Sequence, residues 1–133
     1  MNILVDTSVW SLALRRDSPP DCQEVARLKI ALKEGESVFT TGLILQELLQ
    51  GFRGPKARRR IIEEFATLPL IVPERRDHID AAELRVKLRQ KGIQAGTIDV
   101  LLARLCLRHS LSLLSTDKDF THMAKHVPLS LVR

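Results

Sequence analysis

Ile3-Leu4-Val5 opens the chain as an unbroken apolar run ended by Asp6, the pattern of a strand buried on both faces of a parallel sheet. Thr7 and Ser8 can cap a helix, and Ser8 to Leu14 is predicted helical, ending near Arg15-Arg16 before Pro19-Pro20 breaks the path. Asp21 lies near the start of a second helix with Cys22, Val25, Leu28 and Leu32 on its apolar face and Gly35 as its stop. Ser37 to Thr40 reads as a short strand, and Thr41 caps a helix running to Gln50. Gly51, Gly54 and Pro55 punctuate the next joint, beyond which a helix turns Ile61, Ile62 and Phe65 inward. Leu68 to Val72 is a strand ended by Pro73, and Arg76 to Lys91 is a long helix with Ile79, Ala82 and Val86 on one stripe. Gly92 and Gly96 bracket a loop, and Thr97 caps a helix with the stripe Ile98, Leu101, Leu102 and Leu105. Leu111 to Leu114 is a strand, Thr116 or Asp117 starts a short helix, and Leu129 to Val132 is a last strand after Pro128. Strands alternating with helices predict an α/β fold with a largely parallel sheet and right-handed crossovers. No repeat or linker intervenes, so residues 1–133 read as a single domain.

Composition changes this picture in one respect. A chain of 133 residues with 44% hydrophobic residues can bury a real core, while its net charge of +5 favours an anionic partner: RNA, DNA or an acidic protein segment. Aromatics are 4% with no Tyr, which argues against base-stacking platforms. Cys22 and Cys106 form no metal-like pair and read as buried small hydrophobes of a reduced, cytoplasmic protein. No secretory signal or membrane span is visible. The basic run Lys56, Arg58, Arg59 and Arg60 suits a solvated helix face better than a dedicated phosphate contact.

The candidate chemistry lies in the acids. Asp6 ends the first strand, where an open α/β sheet keeps its ligands, although it could equally cap the next helix. Asp117 follows the fourth strand by only a few residues and so belongs to the same sheet edge, with Asp119 just beyond. Glu47 stands among Leu43, Ile44, Leu45, Leu48 and Leu49, and Asp99 among Ile98, Val100 and Leu101, positions where a carboxylate is expensive to desolvate. Each acid has a structural alternative: Asp99 and Asp117 at helix N-termini, Asp119 in solvent, Glu47 paired with Arg53. Taken together they are harder to dismiss, because clustered carboxylates repel one another unless something offsets the charge. Carboxylates without thiolate or imidazole ligands suit Mg²⁺ or Mn²⁺ rather than Zn²⁺. Neither His78 nor His109 lies in a metal-ligand spacing, and His122 and His126, four apart on the final helix, read as surface residues. Metal-assisted hydrolysis of a phosphodiester is the consistent chemistry.

These residues carry a resemblance. The segments ILVDTSVW, TTGLILQELLQG, GTIDVLLA and LLSTDKDF, in that order, resemble the motifs of PIN-domain ribonucleases, and more narrowly of VapC-type toxins of toxin–antitoxin pairs. The resemblance spans the chain from Asp6 to the last strand. It implies a three-layer α/β/α fold with a sheet of four to five strands and the first strand central. It also implies that Asp6, Glu47, Asp99 and Asp117 surround a Mg²⁺ or Mn²⁺ ion, with Asp119 peripheral. Ser115 stands where the family commonly has Thr, and Ser8 is carried over as a polar neighbour of Asp6. The implied activity is that of an endoribonuclease in which Glu47 positions or deprotonates the attacking water. Implied partners are an RNA substrate, a VapB-type antitoxin whose C-terminal segment fills the groove, and a second copy in a homodimer.

Arg15, Arg16, Arg53 and Lys118 are candidate RNA-backbone contacts, and Leu12, Leu14, Leu45, Leu49 and Phe52 candidate interface residues that could equally be core. Receiver domains and aspartyl phosphohydrolases also keep acids at a sheet edge. A receiver shows adjacent acids after its first strand and a phosphohydrolase shows Asp-x-Asp, whereas Asp6 is followed by Thr7-Ser8-Val9. A catalytically silent RNA- or antitoxin-binding module of the same fold is the non-enzymatic alternative.

Overall fold

The computed structural model describes residues 1–15 and 21–132. Arg16 and the Pro19-Pro20 break lie outside the described residues. In chain order the elements are β1 (Asn2–Val5), α1 (Thr7–Leu14), α2 (Gln23–Lys33), β2 (Ser37–Thr41), α3 (Gly42–Gly51) and α4 (Pro55–Phe65). They continue with β3 (Leu70–Ile71), α5 (Arg75–Gln90), α6 (Thr97–His109), β4 (Ser112–Leu114), α7 (Lys118–Met123) and β5 (Ser130–Leu131).

The five strands form one sheet in the order β3-β2-β1-β4-β5, parallel throughout. The first strand is central, as the motifs imply. Ile3 pairs with Val38 on one side, and Leu4 and Val5 with Leu113 and Leu114 on the other. Ile3, Leu4 and Val5 are fully buried because helices cover both faces, which is why the run shows no alternation. Right-handed crossovers put α1 to α4 on one face and α5 to α7 on the other. The helix contacts follow that division: α1 touches α2 and α3, α3 touches α4, and α5 packs along α6. Trp10 of α1 meets Phe65 of α4 with ring centroids 4.8 Å apart. The chain winds outward from β1 to β3, then returns to the other side of β1 for β4 and β5. The reversal falls at the carboxyl ends of β1 and β4, the crevice where such sheets hold ligands.

Several expected faces are rotated. α2 buries Val25, Leu28 and Ala31 and exposes Leu32, because Ala31 completes the spacing toward the sheet. On α4, Ile61 and Phe65 are buried while Ile62 faces solvent. The largest difference is α5, where Ile79, Ala82 and Val86 are exposed and the buried stripe is Asp77, Ala81, Leu84 and Leu88. Asp77 is 2% exposed and is bound by the Arg108 guanidinium of α6, which also bonds Glu74 at 3.0 Å. Asp80 takes Arg76 at 3.1 Å and Arg104 at 3.3 Å. This ionic seam turns the polar side of α5 toward its neighbour. Gly96, not Thr97, stands at the N-cap of α6. Cys106 is buried but Cys22 only partly so. α7 ends at Met123, so His126 lies in the turn beyond it. Gly54 precedes α4 at φ +96, a left-handed backbone open to glycine, and Pro55 then begins the helix with φ already set.

Candidate metal centre

Asp6 is the first residue past β1 and is 7% exposed. Its side chain does not cap α1; only its backbone carbonyl serves the helix, accepting from Val9 at 3.1 Å and Trp10 at 3.3 Å. Asp6 Oδ2 instead accepts the hydroxyls of Ser8 at 2.9 Å and Ser115 at 2.8 Å. Those hydroxyls in turn accept backbone N–H groups of the β4–α7 loop, Thr116 onto Ser8 at 3.1 Å and Asp117 onto Ser115 at 3.0 Å. The loop carrying Asp117 is thus stitched to the end of β1. Two hydroxyl donors also satisfy a carboxylate oxygen that water would otherwise have to reach.

Glu47 lies in the middle of α3, half-buried, and accepts the Thr7 hydroxyl at Oε1 over 2.9 Å. It forms no ion pair with Arg53, which is exposed. The local pattern marks Thr7 only as a helix cap. Its contact joins residues 40 apart in the chain, so no neighbouring residue announces it, and the one available hint is the hydroxyl beside Asp6. Asp117 does cap α7, with Oδ1 accepting from Asp119 N at 2.9 Å. Asp99 occupies the first turn of α6, half-buried.

The acids converge. Carboxylate oxygens of Asp99, Asp117 and Asp119 lie within 4.8 Å of one another. The Asp99 carboxyl is pushed from 3.8 up to about 6, first by burial, then by the charges of Asp6, Asp117, Asp119 and Glu47. One group therefore feels all four of the others. The buried Cys106 thiol is pushed up to about 12, first by burial and then by the charge of Asp6, which disfavours the reactive thiolate. Among the described residues nothing donates a hydrogen bond to Asp6 Oδ1, Glu47 Oε2 or Asp117 Oδ2. Each of these acids keeps an oxygen open, and the donor set is hard and anionic, which fits a Mg²⁺- or Mn²⁺-sized ion. Arg15, Arg53 and Lys118 are exposed; Arg16 is outside the described residues.

A family profile described as the PIN domain matches residues 3–126, which takes in all five acids. The chain belongs to the PIN domain family. Solved structures with the same PIN fold include VapBC2 from Rickettsia felis bound to a DNA fragment from their promoter, with a TM-score of 0.76 and 19% identity over 99% of this chain and 98% of that one. VapBC-1 from nontypeable Haemophilus influenzae superposes with a TM-score of 0.75 and 16% identity over 99% of this chain and 97% of the other. Mycobacterium tuberculosis VapC20, a sarcin–ricin-loop-cleaving toxin, gives 0.68 and 16% identity over 91% of this chain and 94% of its own. The comparison with curated proteins finds no match.

Proposed function

We propose that this PIN domain is a Mg²⁺- or Mn²⁺-dependent endoribonuclease and the toxin of a toxin–antitoxin pair, hydrolysing RNA phosphodiester bonds. The observation that carries the reading is the meeting of five carboxylates from separate parts of the chain at the sheet's reversal point, with Asp99 pushed up to about 6 by burial and by the other four. Asp6, Glu47, Asp99 and Asp117 would surround the ion, with Asp119, whose carboxylate lies within 4.8 Å of those of Asp99 and Asp117, at its periphery. A divalent ion there lowers the pKa of a bound water and neutralises charge on a phosphate oxygen. Ser8 and Ser115 hold the Asp6 carboxylate in one orientation. Thr7 fixes Oε1 of Glu47 and leaves Oε2 to orient the attacking water or take its proton. Arg15, Arg53 and Lys118 supply positive charge for the RNA backbone, and binding then weakens as salt rises.

The same fold serves the toxins of VapBC pairs, which supports a VapB-type antitoxin as partner. A second copy is the further partner proposed. Leu14 is buried, while Leu12, Leu45, Leu49 and Phe52 are partly exposed against the core. Leu45 and Leu49 line a shallow depression on α3 with Gln46, Gln50 and Arg58. No helix among the described residues is long and apolar enough to cross a membrane; the proposed RNA substrate places the action in the cytoplasm.

Purified protein is incubated with end-labelled structured RNA in Mg²⁺, Mn²⁺ or EDTA, beside Asp99→Asn. Cleavage is expected with either metal and is lost in EDTA and in the variant. Equal cleavage in EDTA would overturn the metal centre. RNA binding without any cleavage would favour the silent binding module.

A further inference from the structure

A cleft of about 470 Å³ opens beside the acids, lined by Gly92, Ile93 and Gln94 of the α5–α6 loop and by Asp119, His122, Lys125 and His126. Asp119 is common to both features: its carboxylate faces Asp99 and Asp117, and the same residue forms a wall of the cleft. Apart from Asp119, every ionisable side chain in the lining is a donor. Lys125 offers an ammonium, and an imidazole carries an N–H whether or not it is protonated. These donors are unspent. Among the described residues no ion pair or side-chain hydrogen bond engages His122, Lys125 or His126, and all are exposed. Arg27, Arg60, Arg76, Arg104 and Arg108 are by contrast each held by a carboxylate. The volume lies in the range of small-ligand pockets, which suits a nucleotide-sized group.

Resting on the nuclease reading above, we infer that this cleft seats a backbone phosphate of the RNA strand next to the one being cut, with Lys125, His122 and His126 as its donors. A strand lying in the cleft passes Asp119 and so delivers its neighbouring phosphodiester to the acids. An acidic protein segment would find the same donors; the continuity of the cleft with the acid cluster through Asp119 favours the strand being cut, and the acidic segment is an outcome of the test.

The test is made in the non-cleaving Asp99→Asn protein, with and without His122→Gln, Lys125→Gln and His126→Gln together. Binding of a 5′-labelled single-stranded RNA is followed by anisotropy across a salt series. Losing one phosphate contact is expected to lower the slope of log K against log salt by about 0.7. A single methylphosphonate scanned along the RNA should weaken binding at one position in the parent and cost nothing further there in the triple variant. Unchanged affinity and slope, no position-specific loss, or no RNA binding by either protein would each overturn the cleft assignment. So would a triple variant that loses a polyglutamate peptide but keeps RNA. In parallel the triple change in the active protein should raise KM on RNA about tenfold at nearly constant kcat. Should the active parent bind RNA with the predicted slope difference yet cut nothing with metal, the cleft stands and the nuclease reading fails; cleavage with an unmoved slope would leave the nuclease reading standing and overturn the cleft.

Discussion

Replacing Asp99 by Asn is expected to stabilise the metal-free protein while ending its activity. The Asp99 carboxyl is held near 6 in the fold against an ordinary value of 3.8, by burial first and by the four neighbouring acids after it. At about 1.4 kcal/mol per pH unit the displacement corresponds to at most about 3 kcal/mol. Asp99 is only half-buried and sits in the first turn of α6, so solvent screening and the helix dipole reduce the expected penalty to about 1–2 kcal/mol. The sign follows from proton counting. Between pH 3.8 and about 6 the folded state keeps a proton that the unfolded chain has released, so this group's contribution to stability falls as pH rises through that window and stays low above it. Asn cannot ionise and escapes the penalty. In EDTA at pH 7.5 the variant should therefore melt about 4–7 °C above the parent. At pH 4 the two should nearly coincide. Millimolar Mg²⁺ or Mn²⁺ should raise the melting temperature of the parent much more than that of the variant, because only the parent gains a ligand that offsets its charge. An Asp99→Asn protein melting at or below the parent at pH 7.5, or a gain equally large at pH 4, would refute the electrostatic reasoning.

Other expectations follow from single contacts. Thr7→Val removes the hydroxyl held by Glu47 and should lower kcat about tenfold with little change in KM, measured on labelled RNA at saturating metal. Ser115→Ala strips one donor from buried Asp6 and the acceptor for Asp117 N; it should cost about 1–3 kcal/mol in urea unfolding, and Ser115→Thr, which keeps the hydroxyl, should restore most of it. Arg108→Met leaves the Asp77 carboxylate buried without its cation and should destabilise the α5–α6 pair, seen as faster amide exchange in α5 and a lower melting temperature. Leu102→Ala empties a fully buried position of α6 and should cost about 2–5 kcal/mol, read in the same unfolding experiment.

How much can be read from the chain depends on whether the information is local. The run Ile3-Leu4-Val5 announces a strand because both of its faces are covered, and Thr41 announces α3 because its hydroxyl does cap Ile44 N at 3.2 Å. α5 misleads for a physical reason. It carries two competing stripes, and the buried one includes Asp77, a residue type that belongs inside only when a partner such as Arg108 comes with it from 31 residues away. Asp99 and Glu47 stand out because an acid amid leucines and isoleucines needs an explanation. Asp6 is ambiguous in the sequence, and what resolves it is Ser115, 109 residues on, whose hydroxyl takes its oxygen in place of α1. The fold is legible from periodicity; the hydroxyls that orient the acids are not, since they are contacts of tertiary structure. The cleft at His122 and Lys125 is hidden likewise, because its other wall comes from the loop at Gly92.

The position of β1 between β2 and β4 bears on how the chain is made. During synthesis β1 meets β2 before residues 112–114 have emerged, and Asp117 and Asp119 come later still. A nascent chain that holds only β1 to β3 therefore carries Asp6 and Glu47 but not Asp99, Asp117 or Asp119. The acid cluster is complete only once the second half of the sheet has closed against the remaining edge of β1.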